Sequence, residues 1–228
     1  AFSYCSALIK ASISQSVKTI GSSIFLQTPL KELYYDAADC NVPTDNIPFP
    51  ATLESVTIGE NVNTIPAQMF YRCNVTSILI PDNVKKIGEK AFLECRALRE
   101  LTIGRGVEEV GVNAFFFCDA LTNVYFNAEN CTVFGNNNSS YIDDAVFYTA
   151  ENVTFGEGVR TIPPKCFIGC KNLKSVRMSN SVTEIGEQAF YDCPDLAELN
   201  LSSSLKTIGN SAFQRNYALT SVTIPESV

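Results

Sequence analysis

The feature that most restricts the fold of this chain is a phenylalanine that returns at a fixed interval. Phe70, Phe92, Phe115, Phe167, Phe190 and Phe213 stand in one column. The step is 22 residues from Phe70 to Phe92 and 23 from Phe92 to Phe115, Phe167 to Phe190 and Phe190 to Phe213. Phe2 and Phe25 join the same column. A second column keeps step with it, a Val-x-x-Ile phrase closed by Gly or Pro, as in Val84 to Gly88, Val159 to Pro163 and Val182 to Gly186. A period of this length marks a solenoid, in which one unit cannot bury its apolar face alone and stacked units bury it together.

Each unit also contains an alternating stretch. In Leu98-Arg99-Glu100-Leu101-Thr102-Ile103 the alternation sends Leu101 and Ile103 inward and Glu100 and Thr102 outward. The last inward residues of the series are Ile13, Tyr35, Ile58, Ile80, Ile103, Phe126, Phe155, Met178, Leu201 and Ile224, which predicts ten strand positions. Val107 and Val110 return to the core from a second extended segment, and the stretch around Ala114-Phe115 has room for one helical turn. The expected fold is an α/β-type repeat solenoid: a rod with one short parallel strand per rung of about 23 residues, a second extended segment and a short helical turn. It is expected to run as a single solenoid through residues 1–228, cut at both ends, because the chain enters and leaves in the middle of a unit.

Two stretches interrupt the period. Residues 36–52 replace the Val-x-x-Ile-Gly and Ala-Phe segment with a Pro-rich run, and residues 127–151 do the same with six added positions, including the turn-forming Gly135 to Ser140. Both keep the strand, so they are expected to form protruding loops where specific function concentrates.

Composition narrows the chemistry. Lys and Arg number 17 against 24 Asp and Glu, with a net charge of -7, and the basic residues are scattered, so no nucleic-acid groove is expected. No apolar run approaches the roughly 20 residues needed to span a bilayer, so no direct membrane insertion is expected in this segment. The chain has no histidine, which removes Ser-His-Asp and Cys-His catalysis. The carboxylate pairs Glu108/Glu109, Asp143/Asp144 and Asp192/Asp195 read as solvated faces or loop residues, and no phosphate or dinucleotide loop is present. The N-x-[ST] triplets at Asn74, Asn130, Asn137, Asn138 and Asn152 read as products of Asn-rich turns. No catalytic residue, metal site or cofactor is expected.

Nine cysteines would ordinarily suggest disulfides or zinc. The register assigns them otherwise. Cys73, Cys95, Cys118, Cys170 and Cys193, like Cys5, each lie three residues after a column phenylalanine, so they form a ladder of small buried side chains, expected as free thiols. Cys40 and Cys131 stand in matching places in the two interrupted units and also read as structural.

The phrase L-x-x-[LV]-x-[IL]-[PG]-x-x-V-x-x-I-G-x-x-A-F-x-x-C, nearly intact in Leu98 to Cys118 and in Leu173 to Cys193, resembles the BspA-type leucine-rich repeat of bacterial surface proteins. The units beginning Tyr34-Tyr35-Asp36 and Tyr125-Phe126-Asn127 look like a variant seen in members from gut Bacteroidetes. The resemblance implies a secreted or surface-anchored protein, an extracellular or cell-surface location, and in some members adhesion to host matrix proteins or other cells. It brings no catalytic residue with it.

Recognition is then expected on the concave strand face. Its outward slot reads Ser12, Tyr34, Thr57, Leu79, Thr102, Tyr125, Thr154, Arg177, Asn200 and Thr223. Candidate binding residues are Tyr34, Thr57, Thr102, Tyr125, Arg177 and Asn200, with the two tyrosines favoured as aromatic anchors; the plainer account is that Thr and Tyr are good strand formers. The expected function is a non-catalytic, adhesin-like scaffold binding proteins or cells. The alternatives are a glycan-binding module, with Tyr34 and Tyr125 as sugar platforms, or a passive surface spacer.

Overall fold

A computed structural model describes residues 1–38, 40–42, 48–135 and 146–228. Each rung contributes a main strand: β1 (Lys10–Ile13), β2 (Glu32–Tyr35), β3 (Ser55–Ile58), β5 (Ser77–Ile80), β7 (Glu100–Ile103), β9 (Asn123–Phe126), β11 (Asn152–Phe155), β13 (Ser175–Met178) and β15 (Glu198–Asn200). From the fourth main strand's predecessor onward, a two-residue second strand follows: β4 (Thr64–Ile65), β6 (Lys86–Ile87), β8 (Glu109–Val110), β10 (Val133–Phe134), β12 (Thr161–Ile162), β14 (Glu184–Ile185) and β16 (Thr207–Ile208). All pairings are parallel between successive rungs, as in Ile103 opposite Phe126. The main strands form two hydrogen-bonded runs, β1-β2-β3 and β5-β7-β9-β11-β13-β15.

The alternation holds at side-chain level. Leu101 and Ile103 are buried, Glu100 is exposed and Thr102 half-exposed. Val107 and Val110 close the second side of the core. The tenth expected strand position, at Ile224, is not a strand: Ile224 is 58% exposed and no ladder reaches it, and a strand this short exists only through its pairing.

The expected helical turn does not form; the described residues contain no helix, so the chain is a parallel β-solenoid and not of α/β type. Fourteen non-glycine residues of the described chain have positive φ, between 54° and 67°, and every one lies two residues before or after a column phenylalanine, as Lys90 and Glu94 do around Phe92. Left-handed residues end a helix at once. What holds them is the next rung. The N–H groups of Lys90, Phe92 and Glu94 donate to the carbonyls of Val112, Ala114 and Phe116 at 2.8–2.9 Å, and those of Gln68, Phe70 and Arg72 do the same to Glu89, Ala91 and Leu93. A helix would spend these donors internally; here they stitch rung to rung.

The phenylalanine column runs without a gap through both interrupted units, where the regular spacing alone leaves it broken. Phe49 stacks between Phe25 and Phe70 at 5.6 Å on each side, and Phe147 between Phe115 (5.6 Å) and Phe167 (5.0 Å). The second interrupted unit also keeps its second strand, with Val133 and Phe134 in register with Glu109 and Val110. That register puts Cys131 in the place of Val107, where it is buried. Asn41 bridges to Thr19, so Cys40 sits one step further along and is half-buried. The two cysteines therefore do not occupy equivalent places. The turn cluster at 136–140 and the pair Asp143/Asp144 lie outside the described residues.

Close stacking also explains the glycine of the repeat. A Cβ on Gly186 would lie 2.5 Å from the backbone nitrogen of Pro164 in the preceding rung. In the two rungs that follow an interrupted unit, the same place in the phrase is filled by Pro66 and Pro163.

One core residue is a mismatch. Tyr35 fills the last inward position of β2 and is fully buried, edge-on to Phe70 at 6.4 Å, yet its hydroxyl has no hydrogen-bond partner. Burial, and next the Cys40 thiol beside it, push that hydroxyl's pKa up without a bond of acceptable geometry forming. Phe126 stands in the corresponding place of the other interrupted unit. Tyr35→Phe removes a desolvated hydroxyl and keeps the ring, so it is expected to raise stability by about 1 kcal/mol in a urea titration. A loss of similar size would mean the hydroxyl is satisfied.

Candidate functional site

Three sides of the rung present different chemistry. On the turn edge, the residue after most column phenylalanines is apolar or aromatic, as in Leu26, Tyr71, Leu93, Phe116, Tyr148, Ile168 and Tyr191, while Ser3 and Gln214 break the slot at Phe2 and Phe213. The sequence reading missed this stripe, although the slot is as periodic as the phenylalanine column. Around Glu94 its polar ends are joined to one another. Glu94 accepts from Arg72 through Nε and Nη2 at 3.0 Å each and from the Tyr71 hydroxyl at 3.0 Å. The Arg72 bond is the chief reason the Glu94 carboxyl titrates below its ordinary value. Arg72 also lies over the Tyr71 ring at 4.7 Å, and Arg215 over Tyr191 at 5.4 Å.

Between the second strands β6 and β8, charges pair rung to rung. Glu108 and Glu109 meet Lys85 and Lys86 at 2.9 and 2.7 Å, which accounts for that carboxylate pair without chemistry. Asp192 is buried against Lys171 while Asp195 is exposed. The exposed Lys85–Glu108 and Lys86–Glu109 pairs each contribute at most about 1 kcal/mol.

The outward face of the main sheet is different. The register places Thr102 opposite Tyr125 and Arg177 opposite Asn200, with Thr154 between Tyr125 and Arg177, so these four candidates share the six-stranded run. Tyr34 and Thr57 face each other on the separate three-stranded run. Tyr34 and Tyr125 are exposed at 43% and 39%. Leu79, opposite Thr102, was not among the candidates and is 63% exposed; its signal was a lone aliphatic in a row of hydroxyls, amides and tyrosines. Arg177 is exposed and has no ion-pair partner among the described residues.

Between Tyr125 and Arg177 the face dips into a shallow pocket of about 310 Å³, lined also by Asn123, Asn152, Thr154 and Glu198. Asn152 Nδ2 donates to the Thr122 carbonyl (3.3 Å) and to Asn123 Oδ1 (3.2 Å), which fixes the two amides relative to each other.

Cys73, Cys95, Cys118, Cys170 and Cys193 of the cysteine ladder lie in the core, whereas Cys5, expected among them, is exposed. The thiols of Cys95, Cys118 and Cys193 donate to the carbonyls of Phe70, Phe92 and Phe167 in the preceding rung at 3.1, 3.4 and 3.2 Å, and Cys170 donates to Phe147 at 3.0 Å. Cys73 makes a longer contact to Pro50. Burial pushes Cys95 up to about 12 and Cys73, Cys118 and Cys170 well above the ordinary thiol range. Thiols held protonated are poor nucleophiles and poor metal ligands. Among the described residues no three Cys, Asp or Glu side chains gather as a ligand set, and no helix is long and apolar enough to cross a membrane.

Comparison with known proteins gives the same architecture. A leucine-rich repeat protein from Eubacterium ventriosum superposes with a TM-score of 0.59 at 24% identity, covering 97% of this chain and 62% of that one. The chain thus spans less than two thirds of that structure. A leucine-rich repeat protein of T. pallidum superposes with a TM-score of 0.54 at 22% identity, covering 88% and 82% of the two chains. No curated protein matches the sequence. The BspA type leucine rich repeat region matches in six copies, over residues 1–43, 49–141 and 140–228. Matched along nearly its whole length, the chain belongs to the BspA-type leucine-rich repeat family.

Proposed function

We propose that this chain is a non-catalytic recognition scaffold, at a cell surface or in the extracellular space, that binds a protein ligand through the outward face of its main sheet and the neighbouring segments at 36–52 and 127–151. One observation carries the reading. The six-stranded run of the main sheet brings an exposed aliphatic, an exposed aromatic and an exposed guanidinium with no ion-pair partner among the described residues onto one face, as Leu79, Tyr125 and Arg177. An exposed aliphatic, an aromatic and a guanidinium are the side chains that concentrate binding energy when a partner covers them. The location rests on the family resemblance.

The test is biolayer interferometry of the intact chain against purified extracellular-matrix proteins. Leu79→Asp combined with Tyr125→Ala is expected to weaken capture roughly tenfold or more, while Tyr217→Ala, a 76% exposed ring off this face, leaves it unchanged. Equal capture by all three proteins, or none by the parent chain, would favour the passive-spacer alternative.

A further inference from the structure

We propose that the pocket between Tyr125 and Arg177 is a subsite for a single acidic sugar, a pyranose ring carrying a carboxylate. The proposal rests on the main-sheet face being the recognition surface and adds a ligand class to it. Tyr125, Thr154 and Arg177 occupy one row on successive strands. Tyr125 and Arg177 are therefore about 9.6 Å apart at the backbone. Thr154 between them, and Ser175 beside it, are short, so two long side chains bracket a gap floored by small hydroxyl residues. At about 310 Å³ the gap is at the small end of ligand sites and suits one ring.

The polar groups around the gap select the chemistry. Asn152 spends its N–H groups on Thr122 and Asn123, which leaves its Oδ1 as an acceptor facing solvent. Glu198 adds a carboxylate with no ion-pair partner among the described residues. A ligand that donates several hydroxyls matches these acceptors, and the flat ring of Tyr125 matches a pyranose face. Arg177, the one cation of the pocket, matches a carboxylate through its planar donor fork.

An extended peptide fits less well. Peptides that join sheets do so through free backbone edges, and β9, β11 and β13 are each paired on both sides. A net charge of -7 also opposes a polyanion, which restricts the ligand to a single terminal acidic sugar.

Saturation-transfer NMR and titration of the intact chain with methyl β-glucuronide, methyl α-sialoside and methyl β-glucoside test this. At least one acidic glycoside is expected to bind about tenfold more tightly than the glucoside, with the difference shrinking as salt rises. Arg177→Gln should erase the preference, Tyr125→Ala should weaken all binding, and Tyr217→Ala, off this face, should change nothing. These are exposed positions, and an unchanged circular dichroism spectrum confirms that each variant folds. The proposal is overturned if neither acidic glycoside binds, if the glucoside binds as well, or if Arg177→Gln keeps the preference. Should Arg177→Gln and Tyr125→Ala weaken protein capture while no acidic glycoside binds, the sugar subsite fails and the sheet-face reading stands. Should an acidic glycoside bind as described while Leu79→Asp and Tyr125→Ala leave protein capture intact, the protein-ligand reading fails and the subsite stands.

Discussion

Moved from pH 8 to pH 10 under reducing conditions, the chain is expected to lose about 4 kcal/mol of folding free energy or more, a large share of what an ordinary domain has. Six buried thiols are responsible. Burial pushes Cys95 and Cys131 up to about 12, and Cys73, Cys118, Cys166 and Cys170 well above the ordinary thiol range. In the unfolded chain each titrates near about 8.5. Above that pH the unfolded state releases protons that the folded state retains, so each raised thiol contributes fully below about 8.5 and loses its contribution as pH climbs toward the folded value. At pH 10 the loss is about 2 kcal/mol for each of Cys95 and Cys131, and the other four thiols add to it in the same direction. Urea titrations at steps from pH 7 to 10 should show a flat region followed by a fall that steepens above pH 9. The double variant Cys73→Ala/Cys95→Ala should start less stable, having lost side chains from the core, but fall more gently by two protons. A double variant that falls as steeply as the parent would show that these thiols do not hold their protons in the fold.

How much of this was legible in the sequence depends on where the deciding contact lies. Leu101 and Ile103 announce a strand because their alternation is local, and Val107 and Val110 announce the second segment for the same reason. The turn edge is the opposite case. Glu89, Lys90, Ala91, Leu93 and Glu94 are good helix formers, and no glycine marks Lys90 or Glu94 as left-handed. Bonds to Val112 and Phe116 in the next rung decide their conformation, and a propensity cannot see a neighbour 22 residues away. Phe49 and Phe147 were hidden by spacing: they fall 24 and 32 residues after the preceding column member, so the regular step passes over them. The candidate site was half legible. Period-two alternation placed Tyr34, Thr57, Thr102, Tyr125, Arg177 and Asn200 outward, but the division between β3 and β5, which separates the first two from the rest, is a matter of pairing and not of pattern. The pocket depends on Thr154 and Ser175 being short between long neighbours, which only the cross-strand register reveals.

Phe115→Ala is expected to cost about 3–5 kcal/mol, and Phe147→Ala about the same, although Phe147 lies in an interrupted unit. Phe115 is buried between Phe92 at 5.1 Å and 5° and Phe147 at 5.6 Å and 25°. Removing the ring deletes two stacked contacts and leaves a cavity that the chain cannot close. The rungs above and below are held at a fixed separation by ladders on the main strands, the second strands and the turn edge, so the walls have nowhere to move. Phe213, stacked on Phe190 at 5.3 Å and only half-buried, should cost less when truncated. The comparison separates two accounts of the interrupted units. If they are loops set on a fold completed by the regular rungs, Phe147→Ala should unfold like the parent. If the column is continuous, the variant should lose as much as Phe115→Ala. Because units in a solenoid couple mainly to their nearest neighbours, a break at Phe147 should also split one urea transition into two, the rungs before it melting apart from those after. A single transition shifted by the full amount would keep the stack but assign the coupling to the backbone ladders.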